Sequence, residues 1–380
     1  MQVCLASTVP PNYQGGLAAY QRLLIKLFSE KAGWSGSIAY EKETVLGLPT
    51  FSQQLAWPSY KYPLGLLGRL TRPQWSRLAS RPKTHGLLEW VLWQAWEDGS
   101  SQGSDVIHFV GTGWDFFGFA MLKWARLAGA RFSVLPGIHP KSWGDDVLDI
   151  RLYQQANAVI CLSESEREHL RLRGVALEKL VKCPLPPMCR PDGDARRFRV
   201  RHELHDRPCV LFLGRRDEGK GYVSLLRAWK LVLEKVPEAV LILAGPKMGD
   251  FSRLVSQNPS CSLRDIDVPD ETEKADALAA CDIFCLPSAH ESFGIVYVEA
   301  WHYGKPVVCG TAPACRELVQ DGVTGYWADQ NPINLSARLT ELLLNQRLRQ
   351  KMGMEGKMTQ MKRFNENAFI TTHLEAFGCT

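Results

Sequence analysis

At 380 residues the chain has room for two domains of ordinary size, each able to close a core of its own. Apolar residues make up 45%, charged residues 22% and aromatic residues 10%, which excludes collagen-like, disordered and disulfide-miniprotein classes. A net charge of +5, from 45 basic and 40 acidic residues, is too small and too dispersed to mark a nucleic-acid binder, so no nucleic-acid partner is expected.

The chain opens Met1-Gln2-Val3-Cys4-Leu5-Ala6, a first strand rather than a basic region followed by a cleavable apolar one, so a cytoplasmic location is expected. Residues 17–31 carry a helical pattern. The most apolar long stretch, 106–122, is broken by His108, Asp115 and glycines and makes a poor membrane span. It divides instead into a strand at 106–110 and a helix at 116–128. Strands follow at 132–135 and 158–162. Ser163 and Glu166 have the spacing of a capping box for a helix over 163–172, and Gly174 stands where it should stop. Between 184 and 208 five prolines and an Asp-Gly-Asp interrupt all periodicity and read as a linker. A second run then begins, with strands at 209–213, 239–244, 283–287 and 306–308 and helices at 223–236, 272–280 and 295–303. Alternating strands and helices imply open parallel sheets covered on both faces. The expected division is an N-terminal acceptor-side domain at 1–185, a linker at 186–207, a C-terminal nucleotide-sugar domain at 208–360, and a C-terminal helix at 361–380 that can cross back to the first domain.

The 11 cysteines show no Cys-x2-Cys and are expected as reduced thiols packed like small hydrophobes. His202-Glu203-Leu204-His205 fails the zinc spacing, so no metal site is expected.

Three strand–loop–helix junctions carry chemistry. Pro10-Pro11-Asn12-Tyr13-Gln14-Gly15-Gly16 precedes the first helix, and two adjacent glycines let backbone N–H groups approach an anion there. Gly214-Arg215-Arg216-Asp217-Glu218-Gly219-Lys220-Gly221 follows a strand, and its arginine and lysine suit a diphosphate clamp. Pro287-Ser288-Ala289-His290-Glu291-Ser292-Phe293-Gly294-Ile295 leads into a helix that holds Glu299. Two carboxylates flanking exposed N–H groups suit sugar hydroxyls, a ribose and a phosphate together. Glu299 lies in an otherwise apolar helix, where a lone carboxylate needs partners. Read singly, the first two junctions are also consistent with a tight turn and a solvated basic loop.

Glu291-x7-Glu299 with Gly304-Lys305-Pro306-Val307 after it, the Gly214-Arg215-x4-Lys220-Gly221 loop, Gly15-Gly16, residues 156–163, and Glu317-Leu318-Val319-x-Asp321-Gly322 occur in an order that resembles the retaining glycosyltransferases of family 4. The resemblance implies an α/β GT-B fold, two Rossmann-like doubly wound domains facing across a cleft. It implies that Glu291 binds donor-sugar hydroxyls and Glu299 the ribose, that Arg215 and Lys220 hold the diphosphate with the N–H groups of Phe293, Gly294 and Ile295, and that Gly15 and Gly16 approach the same phosphates. His139, in Pro136-Gly137-Ile138-His139-Pro140, takes the place of a family histidine near the transferred sugar. The catalytic set is thus Glu291, His139, Arg215 and Lys220, acting without a cofactor or metal. Arg216, Ala314 and Pro186-Pro187-Met188 depart from the family pattern.

The reaction implied is transfer of a sugar, with retention, from a nucleotide-sugar donor to a glycan or lipid-linked acceptor, as in polysaccharide or glycolipid biosynthesis. The alternatives are a sugar-nucleotide epimerase of the same fold and a degenerate, non-catalytic subunit. Asp192-Gly193-Asp194 and Asp265-Ile266-Asp267 also match the short Asp-x-Asp of metal-dependent transferases. Between Glu43 and Glu89 there is no acid, while Lys61, Arg69, Arg72, Arg77, Arg81 and Lys83 stand among aromatics. This segment is expected on the acceptor side, either as a flap or as a contact with an anionic membrane surface at the inner face.

Overall fold

The structure is a computed structural model that describes residues 1–7, 15–31, 35–40, 103–113, 117–140, 143–247, 255–258, 260–266 and 270–379. Pro10–Gln14 and the basic aromatic stretch between Glu43 and Glu89 lie outside the described residues. The chain divides into two compact units, one formed by Met1–Cys183 with Glu366–Thr380, the other by Pro184–Asn365.

The first unit runs β1 (Gln2–Ser7), α1 (Gly16–Lys31), β2 (Ser35–Tyr40), β3 (Val106–Val110), α2 (Phe117–Ala128), β4 (Arg131–Leu135), α3 (Val147–Gln155), β5 (Ala158–Cys161), α4 (Glu164–Leu172) and β6 (Leu180–Lys182). Its strands form one sheet, order β2-β1-β3-β4-β5-β6, with every pairing parallel. Central strands read as unbroken apolar runs because helices cover both faces. Val106, Ile107, Phe109 and Val110 are all buried.

The second unit runs α5 (Ala195–Arg201), β7 (Cys209–Leu213), α6 (Tyr222–Leu233), β8 (Val240–Ala244), β9 (Leu263–Ile266), α7 (Glu271–Ala280), β10 (Ile283–Leu286), α8 (Ile295–His302), β11 (Val307–Cys309), α9 (Pro313–Leu318), β12 (Gly325–Trp327), α10 (Pro332–Leu344) and α11 (Gln346–Arg363). Its sheet, order β12-β11-β10-β7-β8-β9, is again wholly parallel. The stretch 186–207, expected as a linker, is part of this unit. Asp194 caps α5 by accepting from the Arg196 and Arg197 amides, and Arg197 pairs with Asp276 of α7. Four of the five prolines lie before this cap, and the short polar helix that follows carries no apolar stripe except Phe198.

The final helix, α12 (Glu366–Phe377), belongs to the first unit and packs on β4, β5 and β6. A buried polar chain fixes it. His373 Nδ1 lies 2.7 Å from the Phe369 carbonyl, which only accepts, so Nδ1 carries the proton and Nε2 is an acceptor. Tyr20 Oη therefore donates to His373 Nε2 over 2.6 Å and accepts from His108 Nε2 over 2.8 Å. His108 Nδ1 in turn accepts from Ser133 Oγ at 2.8 Å. Tyr20, His108, Ser133 and His373 are all buried, so every link is neutral and the tautomers are fixed in series.

All 11 cysteines are free thiols and eight of them are buried. Among the described residues no helix is long and apolar enough to cross a membrane.

Candidate active site

In the second sheet β7 is the first strand of the chain, with β8 on one side and β10 on the other. Chain direction through the sheet reverses between β7 and β10, and a crevice opens beyond their carboxyl ends at such a switch point. The two junctions singled out in the sequence, 214–221 and 287–294, are the loops that leave these two strands. They are stitched together by backbone and side chain. The Ala289 amide donates to the Gly219 carbonyl at 2.8 Å, and Ser288 Oγ donates to the His290 carbonyl at 2.9 Å. Gln330 Nε2 reaches the Pro287 carbonyl at 3.0 Å and the Glu218 and Gly219 carbonyls at 3.3 Å. Asp217 caps the first loop by accepting from the Lys220 amide at 2.9 Å. Gly221 turns with φ +75° where a Cβ would strike the Pro287 carbonyl, so only glycine lets the loops approach this closely.

Two lysine–glutamate pairs define the electrostatics. Lys220 Nζ stands 2.7 Å from Glu291 Oε1, joining the proposed phosphate ligand of one loop to the proposed sugar ligand of the other. Lys274, from α7, places Nζ 2.7 Å from Glu299 Oε1 on α8. Glu299 is fully buried, and its second oxygen, Oε2, has no hydrogen-bond partner among the described residues. Burial pushes its carboxyl above the usual range, against the pull of the Lys274 charge and of the Met188 amide. Burial likewise opposes charge on Lys274, but the Glu299 carboxylate outweighs it and holds the ammonium above its ordinary value. Gly294, with φ +87°, caps α8, and a Cβ there would meet the Tyr297 ring. Phe293 and Gly294 are buried and Ile295 is half-buried at this helix start.

Arg215 is exposed, its nearest acid being Asp217 at 3.4 Å. Its neighbour Arg216 is fully buried. It pairs with Asp265, donates to the Leu243 carbonyl at 2.8 Å and also bonds the Ile266 carbonyl, so it ties the loop after β7 to β8 and β9. In the first unit Gly15 has φ +133°, and a Cβ at Gly15 or Gly16 would meet nothing within 4 Å among the described residues. His139 pairs with Trp143 through two backbone bonds of 2.9 and 3.0 Å. The Glu166 carboxylate holds the same loop by accepting from the Ile138 amide at 2.9 Å and the Leu162 amide at 2.6 Å. Thus the expected capping box has its first half, Ser163 Oγ accepting from the Glu166 amide at 3.2 Å, while the Glu166 side chain reaches past the cap to the loop after β4. Burial raises that carboxyl to about 7.

A family model described as glycosyl transferases group 1 matches residues 194–359, most of the second unit. The second unit is therefore similar to that family over most of its length. The chain is 37% identical over 130 residues to the phosphatidyl-myo-inositol mannosyltransferase of Mycobacterium tuberculosis (strain CDC 1551 / Oshkosh), the match covering 34% of each. It is 30% identical over 255 residues to the GDP-mannose-dependent alpha-(1-6)-phosphatidylinositol monomannoside mannosyltransferase of Mycolicibacterium smegmatis, covering 61% of this chain and 66% of the relative. The chain thus spans about a third of the first relative and just under two thirds of the second. In structure it is similar to sucrose-phosphate synthase from Thermosynechococcus elongatus, with TM-score 0.72 and 18% identity, covering 100% of this chain and 98% of the other. The fold is GT-B, two parallel-sheet α/β units.

The second unit brings together Lys220, Glu291, Glu299, Phe293, Gly294 and Ile295, with Arg215 on the same loop as Lys220; Gly15, Gly16 and His139 belong to the first unit. Sequence reasoning missed Lys274 and Gln330. The signal for Lys274 was present, since Glu299 needed a buried partner, but nothing local says which of the chain's basic residues folds beside it. The Asp-x-Asp matches have structural uses here. Asp192 pairs with Arg190, Asp194 caps α5, and Asp265 pairs with Arg216 and Lys247.

Proposed function

We propose that this chain transfers a sugar, with retention of anomeric configuration, from a nucleoside-diphosphate sugar to a glycan or lipid-linked acceptor, without a metal, at the cytoplasmic face of a membrane. The observation that carries the reading is the pair of Lys–Glu bridges on either side of the start of α8, at the switch point of the second sheet. Glu299 has one oxygen neutralised by Lys274 and one unpartnered, which suits a ribose hydroxyl as donor. Lys220 and Glu291 hold each other at 2.7 Å until a donor arrives, when a phosphate can take the ammonium and a sugar hydroxyl the carboxylate. Arg215, Lys220 and the N–H groups of Phe293–Ile295 then receive the negative charge that develops as the diphosphate departs. The acceptor hydroxyl oxygen forms the new bond to the anomeric carbon on the face the phosphate leaves, and its proton goes to the departing phosphate oxygen.

The names of the mannosyltransferase relatives favour GDP-mannose and an inositol lipid as first choices. The deciding experiment measures release of nucleoside diphosphate from UDP-, GDP- and ADP-sugars with phosphatidylinositol and soluble glycans as acceptors. Acceptor-dependent release from one donor is expected. Release of a free, altered sugar without acceptor would favour the epimerase reading, and no release from any donor would favour the non-catalytic one.

A further inference from the structure

Helix α11 is amphipathic the wrong way round. Its inward face is made of Met352, Gly353, Gly356 and Gln360, with Gly353 against the Gly304 carbonyl and Gly356 against the Trp301 ring. Small residues let the helix lie close to α8. Its outward face carries Met354, Met358 and Met361, exposed by 58, 58 and 63%. At about 100° per residue these three fall within an arc of about 60°. Lys357 lies just beyond one edge of that arc, and Lys351 and Lys362 lie just beyond the other.

Every exposed residue of α11 is Met, Lys, Arg or Gln, and its one acid, Glu355, is half-buried. Arg347, Arg349, Lys351, Lys357, Lys362 and Arg363 against Glu355 give the helix +5, equal to the net charge of all 380 residues. The helix thus joins a strong local positive charge to exposed apolar side chains. A groove of about 1100 Å³ adjoins the ridge, lined by Met358, Met361 and Trp327. Its cations Arg316, Lys362 and Arg363 stand against two acids, Glu317 and Asp321. Arg316 stacks over the Trp327 ring at 5.4 Å.

Surfaces that bind other proteins are rich in aromatics and depleted in lysine. The methionines here would suit either kind of partner, but the lysines that flank them on both sides are what a protein interface lacks. A strip of flexible apolar side chains flanked by long cations on both sides instead matches the layering of a bilayer surface, where methionines enter the acyl boundary and lysines reach up to the phosphates. We propose that the outward face of α11, the Met354–Met358–Met361 ridge between Lys357 on one side and Lys351 and Lys362 on the other, is a docking surface for a bilayer containing anionic phospholipid. Its use rests on the lipid-linked-acceptor reading above, since it holds the second unit at the surface where such an acceptor resides. Its test does not depend on turnover.

The full chain is pelleted with vesicles of phosphatidylcholine alone and of phosphatidylcholine mixed with phosphatidylglycerol, at low and high salt. Two triple variants are compared with wild type, Met354→Gln/Met358→Gln/Met361→Gln and Lys351→Gln/Lys357→Gln/Lys362→Gln. All six side chains are exposed, so unfolding transitions should match wild type. Binding is expected only with phosphatidylglycerol, to weaken with salt, and to fall by roughly tenfold or more in each variant. An Arg69→Gln/Arg72→Gln/Arg77→Gln chain serves as comparator for the other basic segment. Wild-type pelleting by both α11 variants would overturn the proposal, whatever the comparator does. So would a change confined to molecular mass in solution, which would make the ridge a contact between copies of this chain. A donor screen without turnover alongside intact anionic-vesicle binding would overturn the transferase reading and leave the docking surface standing.

Discussion

Lys274→Met replaces the ammonium beside Glu299 with an unbranched apolar stem of similar length. Glu299 is fully buried, so the variant leaves a carboxylate with no opposite charge and only the Met188 amide to favour it. Removing one partner of a buried ion pair costs about 3–5 kcal/mol. The Lys274 side chain is 18% exposed, so water reaches that end and the lower figure, about 3 kcal/mol, applies. At roughly 2–4 °C per kcal/mol for a unit of this size, the melting temperature should fall by about 6–12 °C. The deficit should widen as pH rises. Burial already raises the Glu299 carboxyl, and a carboxyl raised in the folded state loses stability as pH climbs through the range where the unfolded chain ionises first. Urea and thermal unfolding of wild type, Lys274→Met, Glu299→Gln and the double variant close a thermodynamic cycle. The double variant, with both charges gone, should recover most of the loss. If Lys274→Met unfolds within about 0.5 kcal/mol of wild type, or the double variant is no more stable than Lys274→Met, then the pair is not held as described.

Glu299→Gln and Arg215→Ala should each lower transfer by roughly 10- to 150-fold or more while leaving the chain folded, each losing a charged contact worth about 1.5–3 kcal/mol or more to ribose or diphosphate; near wild-type turnover at saturating donor would refute the assignment. Activity should persist in EDTA, because the charge of the leaving group is met by side chains and backbone dipoles; full loss restored by manganese would point to a metal-dependent reaction. Stability should fall as pH drops from about 6.5 to about 4. Burial holds the His373 imidazole at about 4, so below 6.5 the unfolded chain takes up the proton first, and the contribution lost across that window is about 3 kcal/mol. Urea midpoints that decline no faster in wild type than in His373→Gln would contradict the neutral chain through Tyr20.

The strands that could be read from the sequence are those buried on both faces, such as 106–110 and 209–213, where an unbroken apolar run has no other explanation. The strands that could not are β2, β6, β9 and β12, and these are the four sheet edges. An edge strand is covered less and pairs on one side only, so Ser35-Gly36-Ser37 or Leu180-Val181-Lys182 needs no apolar continuity. The same distinction governs the site. Glycines and charged residues clustered in a loop after a strand are a local pattern, and Lys220, Glu291 and Gly294 were legible from it. Lys274, Gln330 and the task of Arg216 depend on which distant element packs alongside. Arg216 sits beside Arg215 in sequence, yet one is buried across three strand ends and the other is exposed.

The first unit is built from two separate stretches of sequence. Its sheet is built from residues before 184, but α12, bonded through His373 to Tyr20 and to the His108–Ser133 pair, is supplied by residues after 365. During synthesis the nascent first unit therefore waits with an uncovered flank on β4, β5 and β6, and with Tyr20 and His108 lacking their last neighbour. The second unit, contiguous from Pro184 to Asn365, can complete itself in the meantime. The stretch translated first is thus completed only once residues 366–377 have been made.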